Sequence, residues 1–175
     1  MDNMEETGKH ATVLVRPTVM VVDDADEMLM IMESILAKEY SLKLFNNPKE
    51  ALDYASSNPP DLILLDVMMP EIDGFEACRR LKTNPRLRDI PVIFLTSKDE
   101  DEYEEMGFSV GASDFIHKPI NAPIVTARVK THLKIKFVMD YMRNENLRLQ
   151  KTAKEASTEV AELTKMLWGS PFVKS

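Results

Sequence analysis

The chain has 175 residues, of which 44% are hydrophobic and 29% are charged, a composition typical of one globular domain with an extension rather than of a disordered chain. Its apolar runs fall short of the roughly 18 residues of a membrane-spanning helix, and its first dozen residues are acidic and polar, unlike a secretory signal. A cytoplasmic location is therefore predicted. The single cysteine, Cys78, excludes an internal disulfide and a cysteine-based zinc site.

Charge is unevenly distributed along the chain. Residues 1–120 contain 12 Lys and Arg against 24 Asp and Glu, whereas residues 121–175 contain 10 against 5. An acidic body argues against binding to a nucleic-acid backbone, which depends on Lys and Arg. The basic tail leaves nucleic-acid binding open as a weak alternative, but a solvated helix face explains its charge better. Nucleic acid is therefore not an expected partner, and the lack of an apolar span predicts no membrane partner.

Short runs rich in Val, Ile, Leu and Phe alternate with segments of helical period, a pattern that predicts strands joined by helices. The predicted strands cover 18–23, 42–46, 61–66, 90–96 and 113–117, and the predicted helices cover 26–39, 48–57, 74–83 and 99–109. Asn47 is expected to cap the second helix, which starts at Pro48. The alternation predicts an α/β fold with a doubly wound parallel sheet.

A fifth helix is predicted to begin near Asn121 and to meet no stop signal before Gly169. Beyond its first turns, apolar positions recur in alternating steps of four and three, which is the spacing of a coiled-coil seam. The predicted seam is Ile135, Met139, Met142, Asn146, Leu149, Ala153, Ala156, Val160, Leu163 and Leu167. The predicted segments are an N-terminal tail over 1–16 with no assigned role, a globular domain over 17–133, a coiled-coil helix over 134–168 and a C-terminal tail over 169–175.

Asn146 falls at an a position of this seam. A buried Asn there pairs with its counterpart in a parallel two-stranded coil and fixes the register, so a homodimer through this helix is predicted. The small side chains of Ala153 and Ala156 make the seam weak. The alternative is that Asn146 marks a weak spot or the turn of a helical hairpin.

Acidic residues end two of the predicted strands. Asp23 and Asp24 close the first strand and Asp66 closes the third, and functional groups gather at these ends of a parallel sheet. Three carboxylates in one crevice would repel each other, and Mg²⁺ relieves such repulsion by binding to oxygen ligands. One carboxylate is then available as a nucleophile.

Two other strand ends carry groups suited to a phosphoryl group. Thr96 ends the fourth strand with a hydroxyl, and Lys118 follows the fifth with a charge that suits phosphate oxygens. The Lys118–Pro119 bond is a candidate for the cis form, because X–Pro bonds alone adopt it readily. Together with the aspartates, these residues predict phosphoryl chemistry at one edge of the sheet.

Four stretches contain these residues: MVVDDADEM, DLILLDVMMPEIDGFEACRRL, PVIFLTS and GASDFIHKPI. Together they resemble the receiver domains of two-component response regulators, over about residues 17–133. The resemblance implies a flavodoxin-like (βα)5 sheet of order 2-1-3-4-5, with the fifth helix extended into the coiled coil.

The resemblance also implies a role for each acidic residue. Asp66 becomes the phosphoacceptor, which takes its phosphoryl group from a histidine kinase or a phosphotransfer protein. Asp24, Asp66 and the backbone carbonyl of Met68 become ligands of Mg²⁺, and Asp23 holds the ion directly or through water.

By the same resemblance, Thr96 is the switch hydroxyl, Lys118 contacts the phosphate, and Phe115 turns inward when Thr96 moves toward the phosphoryl group. Met68 and Lys98 occupy positions that tune the rate of hydrolysis. We expect Met68 to hinder the attacking water and Lys98 not to orient it, which predicts a long-lived phosphorylated form.

Other functions fit parts of this pattern. A pseudo-receiver that never carries phosphate would keep the fold and serve as a constitutive dimerisation module. A phosphatase using an aspartyl phosphate would be expected to carry a second Asp at position 68, where this chain has Met. The chain is therefore expected not to be an enzyme beyond its own phosphorylation and dephosphorylation, and to act on a downstream effector or as the receiver of a larger protein such as a cyclic-di-nucleotide enzyme.

Overall fold

The computed structural model describes residues 16–97 and 101–169, within which five strands and five helices alternate. The strands are β1 (Thr18–Val22), β2 (Ser41–Phe45), β3 (Leu62–Asp66), β4 (Val92–Thr96) and β5 (Asp114–His117). The helices are α1 (Asp26–Leu36), α2 (Pro48–Ser57), α3 (Gly74–Thr83), α4 (Asp101–Ser109) and α5 (Ala122–Trp168). The predicted α/β class is confirmed.

All five strands are parallel and form one sheet in the order β2-β1-β3-β4-β5, which confirms the predicted topology. The central strand β3 lies between β1 and β4, and Asp66 at its end is in register with Leu95. Thr96, at the end of β4, is in register with His117 of β5. The residues that follow β1, β3, β4 and β5 therefore meet at one edge of the sheet.

The two faces of the sheet carry separate apolar clusters, because successive side chains of a strand point to opposite faces. The first cluster, which includes Ile63, Leu65, Phe94 and Phe115, packs against α2 and α3. The second includes Leu64 and packs against α1 and the start of α5. Burial on both faces explains why β3 reads LILLD without alternation.

Several element ends differ from the predicted ones. Helix α1 ends at Leu36 rather than near residue 39. The chain turns there, the Glu39 and Tyr40 N–H groups both bond to the Leu36 carbonyl, and the Tyr40 side chain is buried. Strand β4 begins at Val92, after Pro91, which has no N–H to donate to a neighbouring strand. The predicted cap of α2 is confirmed, since the Asn47 side chain accepts hydrogen bonds from the first turn of the helix.

Helix α5 begins after Asn121, whose side chain accepts a hydrogen bond from the Ile124 N–H. Tertiary contacts divide the chain into two units between Leu133 and Lys134. In the first unit, α5 is held to the sheet by buried side chains, namely Val125, Val129 and Leu133.

In the second unit, α5 is helical without interruption to Trp168, so the alternative of a hairpin turn at Asn146 is wrong. The large apolar side chains of the predicted seam are exposed in the single chain, from 51% for Leu163 to 76% for Leu167. Among the helices at 16–97 and 101–169, none combines the length and apolarity needed to span a membrane.

Candidate functional site

Three carboxylates meet where β1 and β3 end. Asp23 directly follows β1, Asp24 comes next, and Asp66 is the last residue of β3. One oxygen of each lies within 4.8 Å of one oxygen of each of the others. Asp23 and Asp66 are buried, at 1% and 4% exposure, whereas Asp24 is open to solvent. The cluster therefore has two buried members and one that faces outward.

Lys118 closes this cluster from the end of β5. Its Nζ donates to Asp23 Oδ2 at 2.8 Å and to Asp66 Oδ1 at 2.7 Å. Its backbone N–H donates to the Thr96 carbonyl at 2.7 Å, and the Lys118–Pro119 peptide bond is cis. The other oxygen of Asp23 accepts a hydrogen bond from the Ala25 N–H at 3.0 Å, which fixes the carboxylate at both ends.

Burial is the main reason why the pKa of Asp66 is raised above its ordinary value. The hydrogen bond from Lys118 acts in the opposite direction, while the negative charges of Asp23 and Asp24 raise the pKa further. Burial alone would lower the pKa of Lys118, but the bonds to the two buried aspartates outweigh it and raise that pKa. Lys118 is thus held charged beside the carboxylates.

The donor set of the cluster suits a hard divalent cation. Three carboxylates lie together and one ammonium group bonds to two of them, so the site carries an excess of negative charge when all are ionised. Mg²⁺ prefers such oxygen ligands and keeps part of its water shell, which the exposed side of Asp24 permits. The residues present therefore fit the predicted Mg²⁺ ion.

Thr96 and Met68 flank the carboxylates. Thr96 is 1% exposed at the end of β4, which lies between β3 and β5 in the sheet. Met68, two residues after Asp66, is 54% exposed. The structure thus brings together the predicted residues at the ends of β1, β3, β4 and β5, whereas Lys98 lies outside the described residues.

Phe115 is not part of this carboxylate cluster. Its side chain is 4% exposed and belongs to the apolar cluster with Phe94, with 5.5 Å between the two ring centroids. The ring of Phe108 on α4 approaches it at 5.0 Å, edge to face. Phe115 therefore occupies the inward position in this structure.

The loop between β3 and α3 contains residues whose contribution the sequence analysis missed. An added Cβ at Gly74 would lie 2.3 Å from the Asp66 carbonyl oxygen, so only glycine permits the loop to return this close to the end of β3. The Gly74 N–H donates to the Val67 carbonyl at 2.9 Å, and Asp73 caps α3. Glu71 in the same loop has a left-handed backbone, with φ of 65°. The Asp73–Gly74 pair, a common turn signal, was the available clue.

A second polar cluster that was not predicted joins β5 to α5. Asp114 accepts hydrogen bonds from Arg128 at 2.5 Å and from His132 Nε2 at 3.0 Å. Although burial acts to raise the pKa of Asp114, the hydrogen bonds from His132 and Arg128 outweigh it and lower that pKa. Arg128 and His132 are four residues apart, a spacing that places both on one face of α5.

Comparisons with known proteins agree with this architecture. The chain is 41% identical over 129 residues to a probable cyclic di-GMP phosphodiesterase of Vibrio cholerae, an alignment that covers 74% of this chain and 29% of that protein. It is 40% identical over 126 residues to response regulator PleD of Caulobacter vibrioides, covering 71% of this chain and 28% of PleD. The chain thus spans less than a third of the length of these two relatives.

A solved structure of a putative response regulator from Chloroflexus aurantiacus superposes with a TM-score of 0.65 at 31% identity, covering 67% of this chain and 98% of that one. The family model described as the response regulator receiver domain matches residues 19–130, which contain the whole carboxylate cluster and all of the sheet except Thr18. The chain therefore belongs to the response regulator receiver domain family.

Proposed function

We propose that this receiver accepts a phosphoryl group on Asp66 from a phosphohistidine of a histidine kinase or phosphotransfer protein. The observation that carries the proposal is the position of Asp66, buried at the end of the central strand and bonded to Lys118 within the carboxylate cluster. No other carboxylate in the described part of the chain combines these features.

In the proposed transfer, a carboxylate oxygen of Asp66 attacks the phosphorus of the donor, and the bond from phosphorus to the histidine nitrogen breaks. The leaving imidazole keeps the electron pair and takes up a proton. Lys118, which bonds to Asp66 at 2.7 Å, exchanges this contact for one to an oxygen of the arriving phosphoryl group. The Thr96 hydroxyl, at the end of the adjacent strand, moves to donate a hydrogen bond to another of its oxygens.

Asp23, Asp24, Asp66 and the Met68 carbonyl are the proposed ligands of Mg²⁺, which neutralises charge on the phosphoryl oxygens when it is bound. Asp23 is held in place by Ala25 and Lys118, so it offers a fixed oxygen. Asp24 is exposed and can bind the ion with little desolvation. Because Met68 leaves only its backbone carbonyl for the ion, its side chain is free to cover the solvent side of Asp66.

The test is incubation of the purified chain with Mg²⁺ and a small-molecule phosphodonor such as acetyl phosphate, followed by intact-mass measurement. The expected result is one phosphoryl group per chain on the wild type and none on Asp66→Asn. Asp53→Asn is the matched control, because it removes an exposed carboxylate on α2. If neither the phosphodonor nor any of a panel of kinases phosphorylates the wild type, the result would instead support a pseudo-receiver.

We also propose that two copies of the chain pair in parallel through the seam of α5. The support is the regular spacing of apolar side chains that are more than half exposed in the single chain, together with Asn146 at an a position. Phosphorylation is then transmitted as a change in the packing or register of the paired helices, since α5 begins in the receiver unit and ends at Trp168.

Light scattering with and without phosphodonor tests this proposal. The wild type is expected to have the mass of a dimer, and the charged substitutions Met142→Glu with Leu163→Glu are expected to give a monomer that is still phosphorylated. Lys154→Glu with Lys151→Glu is the matched control, since it changes charge on the same helix outside the seam. A wild-type monomer at all concentrations would refute the dimer.

The relative described as a probable cyclic di-GMP phosphodiesterase supports one proposed output, the control of an enzyme that makes or degrades cyclic di-nucleotides. We propose that the chain itself carries out no chemistry beyond its own phosphorylation and dephosphorylation. Cyclic di-GMP levels in cells that produce the wild type or Asp66→Asn are expected to differ. Equal levels would direct attention to a different effector protein.

A further inference from the structure

Gly107 lies on the face of α4 that covers the ring of Phe115. A Cβ added at Gly107 would lie 2.3 Å from Phe115 Cζ and 3.0 Å from its Cε1. Real carbon atoms do not approach this closely, so a side chain at position 107 and the observed ring position exclude each other. The ring of Phe115 occupies the space that any other residue at this position would need.

A side chain at position 107 would displace the ring of Phe115 rather than that of Phe94. The added Cβ would also lie 3.1 Å from Phe94 Cδ2, and Phe94 is fully buried at the centre of its cluster. Phe115, by contrast, borders a surface groove of about 330 Å³ that is also lined by His117, Ile124 and Arg128. This groove lies next to Phe115, so space for a displaced ring is available on this side and not around Phe94.

Glycine in a helix interior destabilises the helix relative to alanine. Gly107 is in the last turns of α4, where no left-handed backbone requires glycine. The contact with Phe115 is the structural reason for glycine at this position.

We propose that Gly107 is a positioning residue that sets the balance between the inward and outward positions of Phe115, and thereby the ease with which the receiver is phosphorylated. This inference rests on the proposed function. Phosphorylation shifts a conformational equilibrium only through a difference in affinity for the two states. The resemblance to receiver domains implies that the phosphorylated state favours the inward ring. A methyl group at position 107 opposes the inward ring, so it makes phosphorylation less favourable.

The test compares Gly107→Ala, Phe115→Leu and the double variant. In the unphosphorylated protein, Gly107→Ala is expected to move the NMR signals of the Phe115 ring toward exposed values and to lower the urea midpoint. With acetyl phosphate, it is expected to raise the concentration needed for half phosphorylation by about fivefold or more. Ser109→Ala is the control, since it raises helix propensity at an exposed position of α4.

The Phe115→Leu background separates positioning from general stability. Leucine lacks the ring atom that the methyl group would meet, so Gly107→Ala is expected there to leave phosphorylation unchanged and to raise the urea midpoint through helix propensity alone. Should Gly107→Ala fail to fold, the double variant is expected to fold. An equal effect of Gly107→Ala in both backgrounds, or unchanged ring signals, would overturn the inference.

These outcomes remain distinct from failure of the proposed function. If the wild type is never phosphorylated, the proposed function fails while the ring signals and urea midpoints still test the contact between Gly107 and Phe115. If the wild type is phosphorylated and Gly107→Ala reaches half phosphorylation at the same donor concentration, only the inference fails.

Discussion

The side chains of the carboxylate cluster and those of the seam of α5 are ordered by different kinds of contact. At the cluster, the polar atoms of Asp23, Asp66 and Lys118 are fixed by contacts within the chain. Along the seam, the large apolar side chains are more than half exposed, and the contacts that would order them must come from a second molecule. One region is therefore complete in a single chain, whereas the other becomes defined only on association.

The largest expected difference in stability is between the apolar core of the sheet that carries the carboxylate cluster and the seam of α5. Phe94→Ala removes a fully buried ring and leaves a cavity, so it is expected to lower the free energy of unfolding by about 3–5 kcal/mol. Leu163→Ala removes a half-exposed side chain and is expected to change it by less than about 0.5 kcal/mol in the dilute monomer. Urea unfolding followed by circular dichroism at several protein concentrations measures both.

Concentration dependence is the sharper part of this experiment. If α5 pairs, the cost of Leu163→Ala should grow as the protein concentration rises, while that of Phe94→Ala should not. A cost for Leu163→Ala that is large and independent of concentration would contradict the proposed division between the regions.

Much of the carboxylate site was predictable because parallel strands place their carboxyl ends at one edge. Asp66 and Thr96 end buried apolar strands, so their meeting followed from the order of the sheet alone. The sheet order itself came from the family resemblance and was confirmed. Local pattern therefore predicted which residue ends each strand, and the resemblance was needed to predict which strand ends are neighbours.

The features that were missed depend on contacts between distant segments. Gly107 is explained by the ring of Phe115, and the helix pattern of α4 gives no sign of it. The contacts of Asp114 with Arg128 and His132 likewise needed the docking of α5 on β5. The seam is a different case, since its spacing was visible in the sequence but a single chain does not test its partner, and dimerisation stays a prediction.

Magnesium should stabilise the carboxylate site and leave the seam unchanged. A ligand that binds only the folded state adds about 2.7 kcal/mol at one hundred times its dissociation constant. The melting temperature of the wild type should therefore rise with Mg²⁺, and Asp24→Asn should remove most of this rise because it deletes the exposed one of the proposed ligands without disturbing the buried pair. Thermal denaturation across a Mg²⁺ titration provides the measurement.

Asp53→Asn is the control for that titration and should respond to Mg²⁺ as the wild type does. If Asp24→Asn also responds fully, the ion binds elsewhere. A rise in melting temperature that instead disappears in the double seam variant, Met142→Glu with Leu163→Glu, would show that the two regions are not independent.

The lifetime of the phosphorylated form is expected to depend on the side chain of Met68. Met68 is apolar and 54% exposed beside Asp66, so replacing it with a polar residue should help a water molecule approach in line with the leaving oxygen. Met68→Asn is expected to speed hydrolysis by about tenfold, which corresponds to roughly 1.4 kcal/mol of barrier. Loss of radiolabelled phosphate over time measures this rate.

Met30→Asn is the matched control for hydrolysis, because Met30 is an exposed methionine on α1. It should leave the rate unchanged. A wild-type lifetime of only seconds, or equal rates for Met68→Asn and the wild type, would contradict a shielding role for Met68.

The smallest expected effect concerns Asp114, which links β5 to the first unit's part of α5. Since the folded-state pKa of Asp114 is lowered, its contribution to stability is present above the ordinary carboxyl value of 3.8 and is lost as the pH falls through the folded pKa. The difference in unfolding free energy between the wild type and Asp114→Asn should therefore shrink as the pH is lowered from 6 toward 3. Urea unfolding at each pH gives this difference.

Asp114 holds α5 through two partners, and removing either tests whether its stabilising effect comes from the hydrogen bonds. In Arg128→Gln and His132→Gln backgrounds, the pH-dependent difference should be smaller than in the wild type, because each partner lowers the pKa of Asp114. Asp53→Asn, which alters an exposed carboxylate on α2, should not reproduce the effect. If the difference in unfolding free energy between the wild type and Asp114→Asn is constant over the whole pH range, Asp114 stabilises α5 through packing rather than charge. The first part of α5 would then differ from the exposed seam in apolar burial alone.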